Sequence, residues 1–171
     1  MKVTFFKSVF VLVLVIASFG AKAQSDIVGV AAGSKDHTTL VAAVKAADLV
    51  ATLQSKGPFT VFAPTNSAFD KLPAGTVDNL LKPENKATLA SILTYHVVAG
   101  KLDAVAVVAA IKAGIGKAVL TTVNGGKLTA SLKGANVILT DEKGGVATVV
   151  ATDLKASNGV VHVIDTVVMP K

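Results

Sequence analysis

Between Lys35 and Gly57 the apolar residues Leu40, Val44, Ala47 and Ala51 recur at three- and four-residue intervals. That spacing places them on one face of a helix, so "KDHTTLVAAVKAADLVATLQSKG" is predicted to be helical. Asp36 or Thr38 is the expected cap, and Gly57-Pro58 the stop. A short helix is expected upstream in "IVGVAAGS". The β-branched and aromatic "FTVFAPT", Phe59 to Thr65, predicts a strand closed by Pro64. "NSAFDKL" predicts one helical turn capped by Asn66 with Phe69 inward, and "TVDNLLK" a second short helix stopped by Pro83. Glu84 to Val98 predicts a clearer helix ended by Gly100, and Asp103 is the expected cap of a last helix through "AVAVVAAIKAG".

Beyond Gly116 the period shortens. "KAVLTTV", "KLTASL", "NVILTD", "VATVVATDL" and "VVHVIDTVVM" are strand-like, separated by "NGG", "KGAN", "EKGG" and "SNG". Asn-Gly and Gly-Gly pairs supply the positive φ angles of tight hairpins, so an antiparallel meander is predicted, with Phe59–Thr65 as a sixth strand. Helices grouped first and strands grouped later indicate an α+β fold in one domain, residues 24–171.

In the last of these segments His162 and Asp165 stand three residues apart in an oily run. Strand side chains alternate faces, so the two point to opposite sides and cannot form a dyad. His162 shares a face with Val160 and Ile164, Asp165 with Val161, Val163 and Val167. Both faces are largely apolar, which predicts a strand covered on both sides. His162 is then expected to hold neighbouring backbone or an Asn by hydrogen bonds.

Composition changes this picture mainly at the N-terminus. Lys2 and Lys7 bracket the start, "SVFVLVLVIASFG" follows, and Ala21 to Ala23 form an A-x-A site. This arrangement predicts a secretory signal peptide over residues 1–23 and a secreted chain, extracellular or periplasmic. Without Lys2, Lys7 and Lys22 the net charge falls by three, from +6 to +3. Every basic residue is lysine, so the Arg forks that read phosphate and guanine are missing, and nucleic acid is not an expected partner. Zero cysteines exclude disulfides, thiolate zinc sites and cysteine nucleophiles.

Candidate chemistry is sparse. His37, His96 and His162 belong to no H-x-H or H-E-x-x-H pattern, so no metal site is predicted. His37 is expected as an exposed polar residue before a helix. His96 follows Leu89, Ile92 and Leu93 on the apolar stripe and is expected in the core, hydrogen-bonded; Tyr95, rotated about 100° from it, is expected at the rim. No nucleophile elbow, Walker-type loop or paired carboxylates occur, so neither catalysis nor a cofactor is expected.

Four stretches, "FTVFAPTNSAFDKLP", "YHVVAGKL", "ASNGVVHVIDTVVMP" and the hairpin "TVNGGKL", resemble the signature regions of fasciclin-like domains in order and spacing over about residues 26–170. The resemblance, closest in kind to small secreted bacterial single-domain members, implies a wedge-shaped antiparallel β-sandwich flanked by helices from the N-terminal half. It also implies an extracellular, non-enzymatic protein of adhesion or matrix contact, monomeric and without a membrane span once the signal is removed. The family's Asp-Ile contact falls on Asp153-Leu154, with Leu in place of Ile, and its Tyr-His region on Tyr95-His96. Asn66 and His162 match recurring polar positions that hold the fold. Carriage of an apolar small molecule, such as a carotenoid or lipid, is the alternative that some family members suggest.

Overall fold

The computed structural model describes residues 24–171, and the predicted signal peptide lies outside them. Helix α1 (Ile27–Ala32) starts at Asp26, whose carboxylate accepts from the Gly29 N–H. The long helix expected next is two pieces, α2 (Thr38–Ala46) and α3 (Val50–Gln54). They part at Asp48, which takes φ 60°. Its N–H donates to the Lys45 carbonyl and the Leu49 N–H to the Val44 carbonyl, the bonding of a left-handed helix stop. Neither expected cap operates on α2: Ser34 caps the preceding 3-10 turn (Lys35–His37), and His37, which precedes α2, makes no side-chain cap bond to it.

Strand β1 (Phe59–Pro64) leads into α4 (Asn66–Asp70) and α5 (Thr76–Leu80). Thr65, not Asn66, caps α4, because its hydroxyl reaches the Ala68 N–H. Helix α6 (Lys86–Tyr95) ends three residues sooner than its pattern suggests, and Val97–Ala99 forms β2. Asp103 caps α7 (Ala104–Ala113) as expected. The meander follows as β3 (Lys117–Thr121), β4 (Lys127–Lys133), β5 (Asn136–Thr140), β6 (Val146–Ala156) and β7 (Gly159–Ile164).

The sheet order is β2-β1-β7-β6-β5-β4-β3. Strands β3 to β7 pair antiparallel, but β1 and β7 run parallel from Phe59↔Gly159 to Pro64↔Ile164. The sheet is therefore mixed, not the purely antiparallel one expected. Two register breaks in β6, between Val149 and Ala151 and between Ala151 and Leu154, bend it so that its first part serves β5 and its second β7. The far edges approach one another through a Val98↔Thr122 bridge and a Val123 N–H to Val97 carbonyl bond of 2.7 Å. The α+β architecture is a strongly curled sheet, close to a barrel or sandwich, with helices against it.

Strand alternation divides the core in two. Val61, Ala63 and Val161 face Leu40, Val44, Leu89 and Ile92 of the N-terminal helices. Phe62 and Ile164 face inward with Leu128, Leu139, Ala147, Val107 and Ile111. Strands β1 and β7 are thus covered on both sides, as the apolar run at 160–164 predicts. Gly159 is needed for their pairing: a Cβ there would come within 2.0 Å of the Phe59 carbonyl oxygen.

Candidate interaction surface at the β6 bulge

The second break in β6 leaves Asp153 at φ 60°, a left-handed conformation that aspartate tolerates better than most residues. This turns its carboxylate onto α7. Oδ1 accepts from the Ala104 N–H at 2.8 Å, while Asp103 takes the Ala106 N–H at 2.8 Å. Two carboxylates thus satisfy free N–H groups at one helix start, where the partial positive charge favours them. Next to it, Leu154 is 38% exposed, and on α7 Val105 is 76% exposed.

His162 holds this bulge from behind. Its Nε2 lies 2.6 Å from the Leu102 carbonyl, and Nδ1 accepts a longer bond, 3.4 Å, from the Asp153 N–H. Because the Leu102 oxygen only accepts and the Asp153 N–H only donates, the ring is the neutral Nε2–H tautomer. It stacks on Phe62 with centroids 5.6 Å apart. Thr60 completes the clamp, donating to the Gly100 carbonyl and accepting from the Leu102 N–H. Both ring nitrogens of His162 are thus bonded to backbone groups. Asp165 lies away from it, taking the Thr148 N–H at 2.8 Å, with Lys71 at 3.7 Å. Burial pushes the Asp165 carboxyl up, but hydrogen bonds from Thr148 and Thr166 and the Lys71 ammonium together bring it below its ordinary range.

Tyr95 and His96 are both buried, Tyr95 completely, so the rim position expected for Tyr95 is corrected and both side chains lie in the interior. The Tyr95 hydroxyl donates to the Lys127 carbonyl at 2.7 Å and accepts from the Glu142 N–H at 3.2 Å, tying α6 to two hairpins. Its ring lies on Gly126, where a Cβ would stand 2.7 Å from Cε2. Burial raises its pKa. His96 donates from Nδ1 to the Ile92 carbonyl at 2.8 Å and accepts at Nε2 from the Val168 N–H at 3.2 Å. Burial lowers its pKa to about 4.

His37 corrects a further expectation. It is buried, with Nδ1 2.9 Å from the Ser34 hydroxyl and Nε2 without a protein hydrogen-bond partner. Burial lowers its pKa, outweighing the opposite pull of the Ala63 carbonyl and Asp36. Asn66 accepts from the Thr39 N–H and donates to the Lys35 carbonyl, linking α4 to the start of α2. Two clamps escaped the sequence reading. Asn158 accepts from the Ile27 N–H and donates to the Leu53 and Ser55 carbonyls. Asp141 accepts from the Lys143, Gly145 and Met169 N–H groups. Each sits in a turn, where Asn or Asp signals the turn itself and not the distant chain it also holds.

Among the described residues no three metal-ligating side chains converge, and no helix is long and apolar enough to cross a membrane. Beneath α1 lies an apolar space of about 30 Å³, lined by residues such as Ile27, Val44, Leu53 and Leu93. That leaves room for no more than a few water-sized molecules, so a carotenoid or lipid does not fit there in this conformation.

The curled α+β sheet holds its buried Tyr95, His96 and His162 by hydrogen bonds to backbone and leaves Leu154 on its outside. The chain belongs to the fasciclin domain family, whose family model matches residues 35–170. It is similar to protein sll1483 of Synechocystis, 50% identical over 156 residues, covering 91% of this chain and 79% of the relative. It also resembles the immunogenic protein MPB70 of Mycobacterium bovis, 39% identical over 159 residues, covering 90% and 74%. The fold matches a fasciclin domain pair from the insect cell adhesion molecule fasciclin I with a TM-score of 0.57 and 24% identity. That alignment covers 74% of this chain and 42% of the pair.

Proposed function

We propose that this protein is an exported, non-enzymatic interaction domain that contacts a protein or matrix surface as a monomer, in adhesion outside the cytoplasm. Membership of the fasciclin domain family supports the general reading. The observation that carries the site is Leu154: an exposed apolar side chain on a bulge fixed by the Asp153–Ala104 bond. A pre-fixed apolar anchor loses little conformational freedom on binding, which favours recognition. Tyr95 and His96 contribute from the interior, by holding the hairpins and the C-terminal segment in place.

The test is adhesion of beads coated with the purified protein, alongside a deletion strain. Coated beads should bind matrix or cells above controls, and Leu154→Ser should abolish the excess while leaving the melting temperature unchanged. Equal adhesion by wild type, Leu154→Ser and uncoated controls would end this reading.

A further inference from the structure

The end of α7 carries an isoleucine where a glycine is the usual solution. The Gly116 N–H donates to the Ile111 carbonyl at 2.9 Å and the Ile115 N–H to the Lys112 carbonyl at 3.3 Å. This is a Schellman stop, whose left-handed residue is usually Gly and sometimes Asn. Here that residue is Ile115, at φ 55° and 96% exposed. A β-branched side chain in this region is a true outlier, and full exposure means that no packing compensates it. Asp48 occupies the equivalent position after α2, with a residue type that tolerates it. Ile115 therefore has a conformational cost, a hydration cost and no return within the fold.

Its surroundings carry one sign of charge. Residues 104–140 contain no acidic residue, and of their lysines Lys112, Lys117 and Lys133 lie toward this corner, while Lys127 pairs with Thr121 at the far end of β3. Lys112 lies just before the stop, and Lys117 opens β3 opposite Ser131, two residues from Lys133 on β4. Leu132, partly exposed, stands between Ser131 and Lys133. The nearest carboxylates along α7, Asp103 and Asp153, cap its opposite end, about 15 Å away for a ten-residue helix. Lysine is depleted at protein–protein interfaces, where aromatic residues and Arg anchor contacts, and this corner has neither. Lysines with long apolar stems around a protruding aliphatic side chain suit a lipid surface, with the ammonium groups among anionic headgroups and the isoleucine below them.

We propose that the α7–β3 corner is a membrane-surface anchor, in which Ile115 inserts into the interfacial layer of an anionic phospholipid bilayer and Lys112, Lys117 and Lys133 pair with its headgroups. The anchor is distinct from the Leu154 surface and does not rest on it. It holds the protein reversibly against a membrane and leaves the β6 bulge to its own partner.

The experiment uses the protein as its native host exports it, with its N-terminus read by mass spectrometry. Co-sedimentation is measured with vesicles of phosphatidylcholine and phosphatidylglycerol in equal parts, and with phosphatidylcholine alone. Wild type should bind the anionic vesicles preferentially, and more weakly at high salt. Ile115→Gly should lower the partition coefficient about tenfold or more, the worth of one buried aliphatic side chain. Because Gly relaxes the left-handed residue, its melting temperature should stay level or rise, which separates loss of an anchor from loss of fold. Lys112→Gln with Lys117→Gln should remove most of the salt dependence. Wild type and Ile115→Gly sedimenting equally, or neither binding anionic vesicles, overturns the proposal. So does Ile115-dependent capture of a protein without vesicle binding, which would make the corner a protein interface.

Discussion

The Asp153 carboxylate accepts the Ala104 N–H at 2.8 Å, joining a bulge in β6 to the first turn of α7 across 49 residues of chain. The contact asks two things of position 153: tolerance of φ 60° and a side-chain acceptor. Asparagine meets both, glycine only the first, alanine neither. Asp153→Asn should therefore cost least. Asp153→Gly should lose the cap, and Asp153→Ala should add backbone strain to that loss, for a total of about 2 kcal/mol. Urea unfolding of the three variants checks the order. Alanine proving the mildest would show that the bond does not hold the bulge.

Stability toward acid should be set first by His96. Its pKa is near 6.5 when unfolded and about 4 in the fold, lowered chiefly by burial. Above the unfolded value both states are neutral and its contribution is complete. As the pH falls from about 6.5 toward 4 the unfolded chain takes up a proton that the native state refuses, so stability declines, by about 3 kcal/mol at most. His37, also lowered by burial, acts in the same direction. Asp165 is lowered too, but it loses its contribution only at more acid pH, below its ordinary value of 3.8. Chemical denaturation in steps from pH 7 to pH 5 therefore reads the histidines. A flat profile there would show that His96 is not held neutral.

Tyr95 tests whether a residue at which the resemblance implies a contact acts from inside. Tyr95→Phe keeps the ring on Gly126 but leaves the Lys127 carbonyl and the Glu142 N–H without their shared hydroxyl. The expected loss is about 1–3 kcal/mol, with faster amide exchange in the two hairpins. Adhesion per folded molecule should not change. Lost adhesion at unaltered stability would place the hydroxyl at a partner surface instead.

What the sequence made legible follows the range of each signal. The hairpins were readable because period-two alternation and Asn-Gly or Gly-Gly turns are local, and the Asp103 cap needs only three residues. The parallel β1–β7 pairing was not, since it joins residues about a hundred positions apart and leaves no local trace. The break at Asp48 was hidden because apolar spacing continues through it. Tyr95 looked peripheral on a one-sided helix, but α6 is covered twice: Leu89 and Ile92 meet the helical cluster, and Tyr95 the inside of the curled sheet. At the candidate surface, strand alternation correctly separated His162 from Asp165. It carried no information that a bulge would bring Asp153 onto α7.

His162 offers the sharpest separation of structural from chemical roles. Its ring fills space against Phe62, donates to the Leu102 carbonyl and accepts from the Asp153 N–H. Alanine removes all three, leaves a cavity and strands two polar groups, so a loss of about 3–5 kcal/mol is expected, a large fraction of the stability of a small domain. Glutamine carries both an acceptor and a donor and should recover part of that loss. The readout beyond stability is local: His162→Gln should speed amide exchange at Asp153 and Ala104 before it affects the N-terminal helices, because the bulge is what the imidazole holds. Exchange rising uniformly, or an intact bulge in His162→Ala, would mean that the clamp lies elsewhere.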